Sequence, residues 1–146
     1  MANIRVWQTT RESLTVGTST YAQGDALGVK TSFAVPEAGV IRAMVITDVD
    51  DEASLTFNAW VFESEPTGIA ANAAFSLADA DAILVNSVVL INTEFDSIAN
   101  RVHYEEMNMP YRADGGLLWI QVELEASATP TFAATTDIRL KLIIEY

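Results

Sequence analysis

The stretch LWIQVEL at residues 118–124 and the stretch IRLKLII at residues 138–144 place an apolar side chain at every second position. Successive side chains of a β-strand point to opposite faces of the sheet, so this pattern predicts two strands, each with one face in a core and the other in water. The same period of two recurs along most of the chain. The sequence therefore predicts an all-β protein.

Further segments extend this prediction. Residues 40–48 and 54–62 are joined by a short acidic turn, which predicts a β-hairpin or near-hairpin. Residues 86–92 contain a run of Val, Leu and Ile, which favours a strand buried on both faces. Weaker strand patterns cover residues 4–9, 28–33 and 101–106. In the last of these, Val102 and Tyr104 alternate with His103 and Glu105, so we expect His103 on the polar face.

One short helix is expected around residues 77–84. Ser76 followed by Asp79 fits a capping box, and Asp79 and Asp81 would lie at the positive end of the helix dipole. Many short strands separated by Gly- and Pro-containing turns predict an antiparallel β-sandwich with a jelly-roll-like arrangement.

The length of 146 residues predicts a single domain over residues 1–146, in which residues 1–20 form an N-terminal strand or arm. A chain of this size buries roughly 68–70% of its unfolded surface, enough for a core without cross-links. Half of the residues are hydrophobic and 19% are charged. The low charged fraction, compared with about 25% in average domains, suggests that another chain covers part of the surface.

The formal net charge of −12 decides against two classes of partner. Nucleic acids and anionic membrane surfaces attract basic patches, whereas the eight Lys and Arg residues are scattered through an acidic chain. The absence of Cys excludes disulfides, thiolate zinc sites and thiol nucleophiles. The N-terminus does not resemble a signal peptide and no apolar run reaches about 20 residues, so we expect synthesis in the cytoplasm.

An acidic elbow between residues 40–48 and 54–62 is the only candidate metal site in the sequence. Several carboxylates at close range suit Ca²⁺, but the spacing lacks the Asp-x-Asp-x-Asp-Gly loop with its distal Glu. The alternative is a solvated turn, in which Asp is favoured by turn geometry, and we expect no metal or other cofactor. The elbow consists of Asp48, Asp50, Asp51 and Glu52.

No arrangement of residues predicts an enzyme. Asp79 and Asp81 could in principle act as paired carboxylates, but helix capping explains both. His103 is the only histidine, and we expect a surface residue paired with Glu105 or Glu106. Serine-hydrolase, phosphate-loop and dinucleotide-binding glycine motifs are all missing from the sequence.

The three tryptophans are candidates for a protein interface. If alternation holds, Trp7, Trp60 and Trp119 each lie on the polar side of a strand. A large aromatic side chain on a solvent-facing surface lowers solubility unless other residues pack over it, and tryptophan is enriched at interface hot spots. The cover could come from a partner or from loops of the same chain.

From Tyr21 onward the chain resembles a family of small virion proteins of tailed bacteriophages. The motifs are structural rather than catalytic, and their order and spacing extend over most of the chain. Glu65 stands where the family often has Asp or Asn before a Pro. The matching segments are Tyr21-Ala22-x-Gly24-Asp25-Ala26-Leu27-Gly28, Gly39-Val40-Ile41 to Thr47-Asp48, Leu55 to Phe62 with Pro66, Asn72-Ala73-Ala74-Phe75, Asp79-Ala80-Asp81, Thr129-Pro130-Thr131, Thr136-Asp137 and Leu140 to Glu145.

This resemblance implies a capsid decoration or cement protein. Such proteins are β-sandwiches that bind the outside of a capsid lattice, commonly as trimers near symmetry axes. It therefore implies a homo-oligomer, with a trimer favoured, on the virion exterior and with the major capsid protein as partner. The alternative is a carbohydrate- or receptor-binding module of a phage tail or fibre, with exposed aromatic residues beside a calcium-binding elbow.

Overall fold

The computed structural model describes residues 3–50, 55–93, 101–125 and 129–146. Within these ranges the chain forms nine β-strands, one short α-helix and a 3-10 turn at Asp114–Gly116. The all-β prediction is confirmed. The elements are β1 (Val6–Gln8), β2 (Glu12–Ser13), β3 (Thr31–Ala34), β4 (Ala38–Asp48), β5 (Thr56–Phe62), α1 (Asp79–Ala82), β6 (Val85–Asn92), β7 (Arg101–Arg112), β8 (Leu117–Leu124) and β9 (Ile138–Glu145).

The strands form two antiparallel sheets. One has the order β1-β9-β4-β7, with β2 also pairing with β9, and the other has the order β3-β8-β5-β6. If β1 and β2 together count as the first of eight strands, the sheets contain strands 1-8-3-6 and 2-7-4-5. This interleaving is the topology of a jelly roll, as the sequence predicted.

The core lies between the two sheets. From one sheet, β9 contributes Ile138, Leu140, Leu142 and Ile144, all at most 2% exposed. From the other sheet, β8 contributes an equally buried row, so the alternation predicted for both strands is confirmed. The β8 row is Leu118, Ile120, Val122 and Leu124.

The predicted hairpin between residues 40–48 and 54–62 is wrong. β4 pairs with β7 and β9, whereas β5 pairs with β6 and β8 in the opposite sheet. A period of two shows which face of a strand is buried, but not which strand lies beside it. β4 and β5 therefore lie in different sheets, which in such sandwiches pack about 10 Å apart, and are not neighbours within one sheet.

The prediction that residues 86–92 are buried on both faces is also wrong. β6 is the last strand of its sheet, and only one face packs on the core, through Ile91 and the partly buried Val89. Val88 and Leu90 point the other way and are 42% and 59% exposed. The sequence of an apolar edge strand therefore cannot be distinguished from that of a central strand buried on both faces.

The strand predicted at residues 101–106 exists and extends to Arg112, but its faces are reversed. Val102 and Tyr104 are 58% and 55% exposed, while His103 and Glu105 lie half-buried on the other face. His103 Nε2 lies 2.8 Å from Glu105 Oε2, so the expected pairing is present on an unexpected face.

The helix predicted around residues 77–84 is present but shorter, at Asp79–Ala82. Ala78 is its N-cap residue and supplies no side-chain bond, so the predicted capping box between Ser76 and Asp79 is wrong. Asp81 is instead buried, and its Oδ1 accepts hydrogen bonds from the backbone N–H and the hydroxyl of Thr67, at 2.9 and 3.1 Å.

Candidate interaction surfaces

Trp7 lies at an open edge of the sandwich. Its partner in the ladder is Ile144, which is fully buried, so Trp7 lies on the core-facing side of β1. The expectation that it lies on the polar side is therefore wrong. Its Nε1 donates to the carbonyl of Ala34 on β3 at 3.2 Å. Because β1 and β3 belong to different sheets, Trp7 joins the two sheets across this edge.

Trp60 faces away from the core on β5 and has partners within its own chain. Its indole Nε1 donates to Glu123 Oε2 at 3.0 Å. Its ring stacks on Phe75, with centroids 5.3 Å apart and an interplanar angle of 27°. Phe75 belongs to the segment of residues 63–78 between β5 and α1, which we call the covering segment.

Trp119 lies on the same outward face, also half-buried. The ammonium of Lys30 lies 5.4 Å from the centroid of its ring, within cation–π range. Lys30 Nζ also donates to Glu65 Oε1 at 2.8 Å and to the carbonyl of Pro66 at 2.7 Å, both in the covering segment. Cover from the same chain, one of the two alternatives, thus accounts for part of the burial of Trp60 and Trp119. Their role at an interface stays a prediction.

Two residues of the acidic elbow, Asp48 and Asp50, accept hydrogen bonds from backbone N–H groups. Asp48 is fully buried, and its Oδ1 accepts a hydrogen bond from the Asp50 N–H at 3.0 Å. Asp50 Oδ2 accepts one from the Ala133 N–H at 2.8 Å. Asp48 is therefore not a solvated turn residue, while Asp51 and Glu52 lie outside the described residues. In the described ranges, no three His, Asp or Glu side chains gather as they would around a metal.

The largest exposed apolar side chains of β7 form a patch on the outward face of its sheet. Val102 and Tyr104 lie opposite Thr47 and Val45 of β4. Val45 and Thr47 are each only 7% exposed, so the larger β7 side chains and their neighbours already cover the middle of this face. We call Val102 and Tyr104, with the depression beside them, the β7 patch.

The depression lies where the register between the strands shifts, between Ile41 and Ala43. Irregular pairing of this kind redirects side chains and is frequent beside functional sites. It is open and shallow, with one exposed aromatic ring among polar groups. Its lining residues are Arg42, Tyr104, Glu106, Met107 and Asn108.

Arg42 is held in place at this depression by two neighbours. Its Nε donates to Glu145 Oε2 at 2.9 Å, and a guanidinium nitrogen also bonds Asn108 Oδ1. The hydrogen bond to Arg42 lowers the pKa of Glu145, and the same bond raises the pKa of Arg42. The pair therefore stays charged over the neutral range, although such an exposed ion pair contributes little to stability.

The edge strand β6 carries a second exposed apolar group. Val88 lies opposite Trp60, and Leu90 lies opposite Asn58, on the outward face of the β3-β8-β5-β6 sheet. Sequence reasoning missed both this group and the β7 patch, because it assigned the apolar residues of both strands to the core. The signal available for β6 was that its segment is more apolar than one buried face requires, whereas Val102 and Tyr104 of β7 alternate with polar residues as those of one buried face would.

The comparisons with known proteins are sparse. No protein-family model matches the chain, and no curated protein matches it. A solved structure of infectious bursal disease virus, Gx strain, is similar over 99% of this chain, with a TM-score of 0.36 and 8% identity. This chain spans 38% of the length of that viral chain. Among the described residues, no helix is long and apolar enough to cross a membrane.

Proposed function

We propose that this chain is a virion structural protein that binds the outer surface of a tailed-phage capsid and stabilises the shell by protein–protein contacts. The observation that carries the proposal is the β7 patch, an apolar and aromatic surface on a protein whose net charge is −12. The sequence resemblance to phage head proteins supplies the class of partner, the major capsid protein.

The chemistry of the β7 patch suits contact with a protein. Val102 and Tyr104 supply exposed apolar area, while Arg42, Glu106 and Asn108 supply polar groups around Tyr104. Interfaces commonly combine an apolar or aromatic centre with a polar rim, and Tyr and Arg are enriched at hot spots. The acidic remainder of the surface would keep the subunit soluble and would repel the packaged genome.

The mechanism is adhesive. A subunit that spans neighbouring capsid subunits would bury apolar surface on each, at about 25 cal/mol per Å² before the costs of docking and ordering. Decoration of this kind needs no chemical step, and we propose that the chain is not an enzyme. We further propose, from the resemblance, that it acts as a homo-oligomer.

Co-sedimentation with head shells of the phage that encodes this chain tests the proposal. The wild-type protein should pellet with the shells, and Val102→Ser with Tyr104→Ser should weaken binding by about 10-fold or more. Ile83→Ser is the matched control, since Ile83 is 83% exposed and lies outside the β7 patch. Wild-type protein that stays in the supernatant would overturn the proposal. Equal binding of all three proteins to the shells would show that the β7 patch does not contact the capsid.

A second candidate function uses the same depression. An exposed Tyr104 beside the Arg42 guanidinium, a carboxylate and an amide is a combination that binds polar ligands such as sugars. This observation favours a carbohydrate- or receptor-binding module of a phage tail or fibre. A glycan array, run with Ca²⁺ and with EDTA, tests it: binding lost on Tyr104→Ala supports this function over the capsid one.

A further inference from the structure

The backbone of β6 has one side without a partner strand. β6 ends the order β3-β8-β5-β6, so in the described part of the chain β5 is its one ladder partner, while Asn86 and Ser87 at its start bond to Pro110 and Met109 of β7 in the other sheet. Thr93 N–H donates to Leu55 O, and Glu125 N–H donates to Thr56 O. In an antiparallel ladder the bonding direction alternates with each residue. Hence Ser87, Val89 and Ile91 bond to β5, and the N–H and C=O groups of Val88, Leu90 and Asn92 point to the free edge.

From Ser87 to Asn92 the free edge lacks the features that normally block strand addition, whereas the register of β6 shifts at Asn86, because Val61 pairs with Ser87 and Phe62 pairs with Val85. Edge strands are commonly protected by charged side chains, prolines or bulges. β6 reads VNSVVLIN and contains no charge and no proline, whereas the other edge strand on this side, β7, carries Glu105, Glu106 and Pro110. The residues with outward backbone groups, Val88 and Leu90, also carry the exposed apolar side chains.

The sequence of β6 is nearly symmetric about Val89. If two copies pair antiparallel with Val89 opposite Val89, then Val88 faces Leu90, while Asn86, at the register shift, falls outside the regular pairing. Directly opposite residues share a face, so the exposed Val and Leu side chains of both copies would form one apolar cluster. The same register places the outward backbone groups of Val88 opposite those of Leu90, as hydrogen bonding requires.

We infer that β6 pairs with β6 of a second copy of this chain, across a two-fold axis at Val89, and joins the two β3-β8-β5-β6 sheets into one. Electrostatics favours this strand over others for self-association. Two copies that each carry −12 repel one another over most of their surfaces, and β6 is an uncharged strip. A two-fold contact brings the same patch of both copies together, and the near-symmetric sequence fits that requirement.

This contact is independent of the proposed capsid binding, because it uses the β6 edge and not the β7 patch. It is also distinct from the contact of a trimer, where one patch meets a different patch on the next subunit. Assembly through β6 therefore gives an even number of subunits.

Sedimentation equilibrium of the purified chain, with no capsid present, tests the inference. We expect a mass of twice, or an even multiple of, the 15.9 kDa chain. Leu90→Pro removes an outward N–H and should halve that mass, with a dissociation constant raised by about 100-fold. Since the Leu90 N–H does not bond β5, the variant should keep its fold. Val89→Pro is the matched control, because it removes an N–H that bonds β5 and should destabilise the subunit itself.

Two further variants keep the test decisive if Leu90→Pro fails to fold. Leu90→Lys keeps the backbone N–H but adds a charge to the cluster, and it should also halve the mass. Val89→Cys introduces the only thiol in a chain without Cys, so oxidation should link two copies across the axis. Val102→Cys on β7 is the matched control and should link slowly. A monomer or trimer mass for the wild type, or equal linking of the two cysteine variants, would overturn the inference.

Discussion

The side-chain amide of Gln121 pairs with the backbone of Ile69. Gln121 Oε1 accepts a hydrogen bond from the Ile69 N–H at 3.1 Å, and Gln121 Nε2 donates to the Ile69 carbonyl at 2.6 Å. The same Nε2 donates to the Gly28 carbonyl at 3.2 Å. Gln121 is fully buried although it points away from the core, so these bonds hold the covering segment against the outward face of the sheet.

Gln121→Leu should loosen the covering segment. The substitution leaves the Ile69 N–H and carbonyl without their partner, and we expect the free energy of unfolding to fall by about 1–3 kcal/mol. Hydrogen exchange at the Ile69 amide should speed up more than exchange in β8. Gln8→Leu, at an exposed glutamine of β1, is the control and should change neither quantity. An unchanged exchange rate at Ile69 would contradict the role of Gln121.

Trp60→Ala should destabilise the subunit itself. The ring is stacked on Phe75 and bonded to Glu123, so its removal should lower the free energy of unfolding by roughly 2–4 kcal/mol, measured by urea denaturation. Trp60→Phe keeps a stacking ring without the N–H and should lose less. If Trp60→Ala unfolds like the wild type but changes its self-association, then Trp60 belongs to an interface between chains.

Tyr111 should make stability depend on pH at the alkaline end. Its hydroxyl donates to the Pro36 carbonyl at 3.1 Å, and burial raises the pKa of Tyr111 to about 12 from the ordinary 10.0. The unfolded chain loses this proton first. The contribution of Tyr111 is therefore complete below pH 10 and is lost as the pH rises to about 12.

Tyr111→Phe should therefore flatten the fall of stability over this range of pH. Denaturant unfolding of the wild type and the variant at several pH values measures the difference. The slope should decrease without vanishing, because burial also raises the pKa of Tyr21. Equal slopes for the two proteins would show that the Tyr111 phenol titrates alike in the folded and unfolded chain.

Added Ca²⁺ should leave thermal stability unchanged. The carboxylates of Asp48 and Asp50 already accept backbone hydrogen bonds, and in the described ranges no third carboxylate gathers with them as a cation site would need. Thermal melts with millimolar Ca²⁺ and with EDTA should coincide. A clear rise in the melting temperature with Ca²⁺ would re-establish the acidic elbow as a metal site, because a ligand that binds only the folded state stabilises it.

The strands of the fold were predictable from sequence because burial of one face imposes a period of two. β8 and β9 were predicted to within one residue at every end, and their buried rows are as expected. Which strands pair was not predictable in this way. β4 and β5 both carry a buried face, and nothing in their alternation indicates that they belong to opposite sheets.

The candidate surfaces were harder to predict for a related reason. Val88, Leu90, Val102 and Tyr104 are apolar, and sequence reasoning assigns such residues to the core. Trp7 lies on the core side of a three-residue strand. This face is known only from the pairing of Trp7 with the buried Ile144, which the sequence does not give. Trp60 and Trp119 are covered by the covering segment. This segment is held through backbone atoms, and the pattern of apolar residues in a sequence does not show such contacts.

Electron microscopy of phage heads, with and without the gene for this chain, tests the proposed function most directly. We expect extra density on the outer surface of the capsid, into which the two-sheet jelly roll fits with the β7 patch toward the shell. We also expect that density to vanish when the gene is deleted. Heads that look identical in both cases, or density for this chain on the tail alone, would contradict the proposal.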